Sequence, residues 1–171
     1  LSDLIKATID PHFGFSRYAE SLGRSAQQFD ELHTALHAPP GFIDNVLLQL
    51  LEQKVTAVKP MLLAISVPFP GNLFSALRCG QWMKANHPEI PVVMGGGFPN
   101  TEPRSLSDPR VFDYVDYITL DDGEAPLEQL IGYLQGKKTE DELKRTFIRR
   151  KEKVVYLNNT ACGDYKQADA G

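Results

Sequence analysis

Three short apolar runs set among stretches of helical period constrain this chain more than any single motif. MLLAISV (61–67), IPVVM (90–94) and DYITL (116–120) are strand-length and lack a 3.6-residue repeat. Runs this continuous suit parallel strands buried on both faces. Between the first two, Leu73 to Asn86 has helical spacing, with Leu73, Ala76, Leu77, Gly80 and Met83 facing inward and Asn72 at the N-cap. A short helix over 105–112 precedes the third run. After it, Pro126 opens a helix with Leu127, Leu130, Ile131 and Leu134 on one face and Gly136 as its stop. Strand and helix alternate as in α/β proteins, and right-handed crossovers would give a parallel sheet with helices on both faces.

The flanks differ. Residues 1–59 read as helical, without a strand. Ser25 to His37 is weakly amphipathic, and Pro39-Pro40-Gly41 breaks the chain. From Phe42 to Val58, Ile43, Val46, Leu47, Leu50 and Leu51 form one stripe, and Pro60 ends the helix. Thr139 with Glu142 has the spacing of a capping box for another short helix. RTFIRR and KVVYL alternate around Lys151-Glu152 as a β-hairpin that extends the sheet edge. The reading divides the chain into a helical segment 1–59, an α/β core 60–136, a short helix and hairpin 137–158, and a linker 159–171.

Composition removes several classes of function. At 171 residues and 42% apolar, the chain is long enough for one domain with a core. Eighteen basic against 22 acidic residues give a net charge of −4, and the densest basic stretch, RRKEK (149–153), contains a glutamate. No nucleic-acid footprint is expected. The longest apolar runs fall short of the roughly 20 residues that span a bilayer. LSDLIKATID has no signal-peptide pattern, and Cys79 and Cys162 make neither a disulfide framework nor a metal knuckle. A reducing, cytoplasmic compartment is the expectation. The absent initiator Met suggests an excised piece of a longer protein.

In open α/β sheets, ligands bind beyond the carboxyl ends of the strands. That singles out the loops 66–72, 95–101 and 121–124. The first begins Ser66-Val67-Pro68-Phe69, where the serine hydroxyl either meets a ligand or caps its own turn. The second is Gly95-Gly96-Gly97-Phe98, where missing Cβ atoms let a flat ligand approach, or simply make a tight turn. It lacks G-x-G-x-x-G spacing, and no helix is expected directly after it. The third is Asp121-Asp122-Gly123-Glu124. Carboxylates there complement a helix start, hold magnesium, or reach a ribose hydroxyl. His33, His37 and His87 show no matched partner for a zinc set. Cys79 reads as a core residue. No Cys-x-x-x-Cys-x-x-Cys and no G-x-S-x-G elbow occurs.

Taken in order, Ala64-Ile65-Ser66, Met94-Gly95-Gly96-Gly97, and Asp116-Tyr117-Ile118-Thr119-Leu120 with Asp121-Asp122-Gly123-Glu124 have a familiar pattern. They resemble the cobalamin-binding domain of cobalamin-dependent radical-SAM proteins. That group includes magnesium-protoporphyrin IX monomethyl ester oxidative cyclases and related Fe–S oxidoreductases. The resemblance covers residues 60–136, with Asp121-Asp122 standing where the family has Gly-Glu. It implies a Rossmann-like, flavodoxin-like domain. It also implies that Ser66, Val67, Pro68, Phe69, Gly95, Gly96, Gly97, Phe98, Asp122, Gly123 and Glu124 meet cobalamin. Bulk at Gly95 or Gly96, such as Gly96→Val, would then block the cofactor while the fold survives.

The same resemblance places the 4Fe-4S cluster, the S-adenosylmethionine and the chemistry in a following C-terminal radical-SAM domain. No residue of this segment is expected to be catalytic or to ligate a metal. Asp10-Pro11-His12-Phe13-Gly14 misses the lower-ligand motif D-x-H-x-x-G by one residue. The family fold starts with two strands ahead of the first one visible here. Without them the sheet would expose an edge and pair with another copy as a homodimer. Two other readings compete: a flavodoxin- or receiver-like signalling domain, and a ligand-free interaction scaffold.

Overall fold

A computed structural model describes residues 1–11, 13, 29–101, 108–121, 123–161 and 163. Helices α1 (Ser2–Thr8), α2 (Phe29–His37) and α3 (Phe42–Val58) come first. Then follow β1 (Leu63–Ser66), α4 (Leu73–Asn86), β2 (Val92–Gly95), α5 (Gly97–Thr101), β3 (Tyr117–Thr119) and α6 (Glu124–Leu134). The hairpin strands β4 (Thr146–Arg150) and β5 (Lys153–Leu157) close the series. Single 3₁₀ turns lie at Pro70–Asn72, Pro109–Asp113 and Glu140–Glu142. Residues 25–28 of the expected N-terminal helix, 102–107 and most of the expected linker lie outside the described residues, as do His12, Asp122 and Cys162.

The protein is α/β with a five-stranded mixed sheet in the order β1-β2-β3-β4-β5. β1, β2 and β3 run parallel, Leu63 beside Val92 and Met94 beside Ile118. β4 and β5 add antiparallel, so the expected hairpin does extend the sheet. Asp116 fixes the β2–β3 register: its carboxylate accepts the Val92 N–H at 2.8 Å and pairs with Lys84. The Thr139–Glu142 capping box forms, with Thr139 N–H donating to Glu142 Oε2 at 2.8 Å, but it caps only a single 3₁₀ turn.

Strand alternation sorts the core onto two faces. On one face Leu63, Ile65, Val92, Met94 and Ile118 pack with Leu73, Leu77 and Met83 of α4 and with Leu32 and Leu36 of α2. On the other, Val93 meets Leu130 of α6 and Leu143, with Leu62, Tyr117 and Leu127 around them. The five expected inward residues of α4 are all buried, whereas Asn72 makes no side-chain cap.

Three expectations fail. β1 is not buried on both faces, because it is the edge strand; Ala64 and Ser66 are exposed. α3 leaves Val46 and Leu50 of the expected stripe 43% and 55% exposed, and instead turns Asp44 and Val55 inward. A helix, α5, does open immediately after Gly96, whose φ of +104° swings the chain out of β2.

An ion pair explains the rotation of α3. Arg78 of α4 and Asp44 are both buried, with Nε and Oδ2 3.3 Å apart. Arg78 also donates to the carbonyls of Leu36 (2.7 Å), Ala35 (3.1 Å) and Ala38 (3.3 Å). These carbonyls lie at the end of α2, where the helix itself leaves carbonyls short of donors; Gln81 Nε2 adds a bond to Leu36 O at 3.0 Å. One guanidinium thus ties α2 and α3 to α4. Among the described residues, no helix is long and apolar enough to cross a membrane.

Candidate functional site

The carboxyl ends of β1, β2 and β3 and the first turn of α6 line a cavity of about 280 Å³ that opens to solvent. Its lining comprises Ala64, Ile65 and Ser66 of β1, Val93, Gly95 and Gly96 at the end of β2, Thr119 of β3, and Gly123, Glu124 and Leu127 of α6. Strand period puts most of these side chains on one sheet face. Ala64 and Ser66, Val93 and Gly95, and Thr119 are the alternates of the residues buried against α4.

The rim is laced by hydrogen bonds. Val67 N–H donates to Gly95 O at 2.7 Å, and Phe98 N–H donates to Val67 O at 2.9 Å, fastening the first loop to the second. Asn100 fastens the second to the third: its Nδ2 donates to Asp121 O at 3.0 Å, and its Oδ1 accepts the Asp121 N–H. Arg145 pairs with the Asp121 carboxylate at 2.5 Å. Gly123, at φ +88°, occupies the N-cap of α6 without a side-chain cap. Gly123 and Glu124 thus bring the start of α6 into the cavity lining.

The glycines have separable roles. A Cβ on Gly95 would reach Thr119 Oγ1 at 2.8 Å, so Gly95 keeps space open beside a lining hydroxyl. A Cβ on Gly96 would meet Val67 N at 2.8 Å and Ser66 Oγ at 2.9 Å. This corrects the expectation that Gly96→Val spares the fold: bulk there strikes backbone, and the informative position is Gly95. Gly97 packs against Pro68, where a Cβ would lie 3.1 Å from the carbonyl.

Of the eleven expected contact residues, Ser66, Gly95, Gly96, Gly123 and Glu124 line the cavity. Val67 and Phe98 belong to the hydrophobic core, at 0% and 3% exposure. Pro68, Phe69 and Gly97 lie in the loops outside the lining; Phe69 is 69% exposed. Asp122 is outside the described residues. Ala64, Ile65, Val93, Thr119 and Leu127 were not anticipated as lining. Thr119 was legible in principle, since it ends a strand in the same way as Ser66. Asn100 and Arg145 had no local signal, because their partner Asp121 is distant in sequence.

The cavity offers two hydroxyls, a carboxylate and an apolar floor. That combination suits a flat ring carrying a polyol. Away from it, the rings of His33 and His37 stack at 4.2 Å, one turn apart on α2. Burial, then His37 and Arg110, hold the His33 pKa below its ordinary value. Among the described residues, no three His, Cys, Asp or Glu side chains gather as a metal site. Compared with models of known protein families and with curated protein sequences, the chain matches none.

Proposed function

We propose that this chain is a cobalamin-binding module of Rossmann-like, flavodoxin-like architecture, acting in the cytoplasm with a radical-SAM domain. The observation that carries the reading is the cavity formed where three parallel strands end, with Ser66, Gly95, Thr119 and Glu124 converging on it. Ligands in open α/β sheets bind at this end.

The residues present fit one part of the cofactor. A corrin is far larger than about 280 Å³, but the flat base and ribose of the nucleotide tail suit that volume. Ala64, Val93 and Leu127 would sandwich the base. The hydroxyls of Ser66 and Thr119 and the Glu124 carboxylate would meet ribose or phosphate-linked hydroxyls. The corrin would stay outside, where Pro68 and the exposed ring of Phe69 offer an apolar shelf. When bound, cobalamin would supply methyl transfer or electron mediation, with the 4Fe-4S cluster and S-adenosylmethionine held by the separate radical-SAM domain. This chain's own residues would bind and orient the cofactor.

Equilibrium dialysis against hydroxocobalamin, read by corrin absorbance, tests the proposal. Retention at micromolar cofactor is expected, with at least about tenfold weaker retention for Gly95→Val, a loss of about 1.4 kcal/mol. No retention by the folded chain, or equal retention by Gly95→Val with an unchanged circular dichroism spectrum, would remove this cavity as the site.

A further inference from the structure

We propose that the edge of β1 left unpaired among the described residues binds the same edge of a second copy of this chain, beside the cavity that Ala64 and Ser66 line. The inference deepens the ligand-site reading of that cavity, while its first support is the edge itself.

Among the described residues β1 ends the sheet, and only β2 pairs with it. Its ladder uses odd-numbered residues: Leu63 N–H donates to Pro91 O at 2.9 Å, and Val67 N–H to Gly95 O at 2.7 Å. In a parallel ladder the alternate residues direct N–H and C=O the opposite way. Leu62, Ala64 and Ser66 therefore present theirs to the free edge. Pro60 and Pro68 bound this strip and contribute no N–H.

Edge strands are ordinarily guarded by charge or a bulge. The opposite edge, β5, begins with Lys153 directly after Lys151 and Glu152. No Lys, Arg, Asp or Glu occurs between Lys59 and Arg78, a stretch that includes all of β1. Met61 and Phe69 flank the strip at 54% and 69% exposure. An uncharged strip meets a copy of itself without like-charge opposition.

The register follows from the outward groups. Antiparallel pairing about a two-fold axis sets Ala64 opposite Ala64 of the second copy and Leu62 opposite Ser66. All three outward pairs then exchange hydrogen bonds, about six in total. The small side chain sits at the axis, and the prolines stop the ladder at both ends. Paired residues point to the same sheet face, and Ala64 and Ser66 line the cavity. Leu62 of the second copy thus comes beside Ser66, at the rim of the cavity.

The test uses the full chain without ligand. Sedimentation from low to high micromolar concentration should show a monomer–dimer equilibrium. Residue-resolved amide exchange should slow about tenfold or more at Ala64 and Ser66 as dimer forms, while Ile65 stays protected throughout. Ala64→Pro removes the outward N–H at an exposed position, and Ala64→Lys opposes like charges at the axis. Both should fold by circular dichroism and remain monomeric. A monomer with freely exchanging Ala64 and Ser66 amides overturns the proposal. So does a monomer protecting them at every dilution, which would mean that another segment of the chain covers the edge. A dimer indifferent to both substitutions also overturns it. Cobalamin takes no part, so a dimer that retains no corrin would refute the cofactor reading alone.

Discussion

Gly96 and Gly123 show two different demands on glycine. Both have positive φ, but a Cβ on Gly96 would strike Val67 and Ser66, while one on Gly123 would meet nothing within 4 Å. Gly123→Ala should therefore cost about 1 kcal/mol from backbone strain alone. Gly96→Ala should cost roughly 3 kcal/mol or more, since a contact with backbone adds to that strain. Urea unfolding of the two variants checks the difference. Arg78 is decisive in another way. Arg78→Met strands the buried Asp44 carboxylate, so a loss of about 3–5 kcal/mol is expected in the same assay. Burial, then Asp44, pushes the Cys79 thiol up to about 11; burial, then Tyr133 and Asp116, pushes the Tyr117 phenol up to about 12. The unfolded chain releases these protons near 9.0 and 10.0, so it binds fewer than the folded chain in between. The stability from both groups is complete below pH 9 and is lost as pH rises through 11 and 12. The urea midpoint should fall over that window, and Cys79→Ala should flatten only its lower part.

The hairpin carries a testable element. Its two-residue loop puts Lys151 at φ +57°, where a hairpin turn prefers glycine. Lys151→Gly should raise stability by about 0.5–1 kcal/mol, read as a higher urea midpoint with an unchanged slope. Elements like this hairpin were legible because both runs alternate on either side of a short charged break, even though its turn residue is unfavourable. The inward face of α4 was legible for the same reason, its period being undisturbed. α3 was not: its apolar stripe pointed one way, and a charge partner distant in sequence, Arg78, turned Asp44 inward instead. β1 misled similarly. A continuous apolar run states that a strand can be covered on both faces, but whether neighbours cover it is decided by topology.

The whole molecule makes the candidate site from strand ends legible in the sequence, in a cavity whose lining was legible only in part. Loop residues next to the glycines were taken for contacts, yet Val67 and Phe98 went into the core, and Thr119 and Leu127 took places on the wall. Those exchanges depend on which sheet face each side chain occupies, and register fixes that only once the strands are paired. The sheet order has a further consequence for how the chain is made. Among the described residues, each strand pairs only with its neighbours in the sequence. The β4–β5 hairpin needs a two-residue loop and closes within microseconds. β1, however, waits for an entire helix before β2 exists to receive it. On a ribosome, the uncharged stretch from Pro60 to Leu77 carries the first sheet strand to emerge and waits longest for its partner, which makes it the segment most in need of chaperone cover during synthesis.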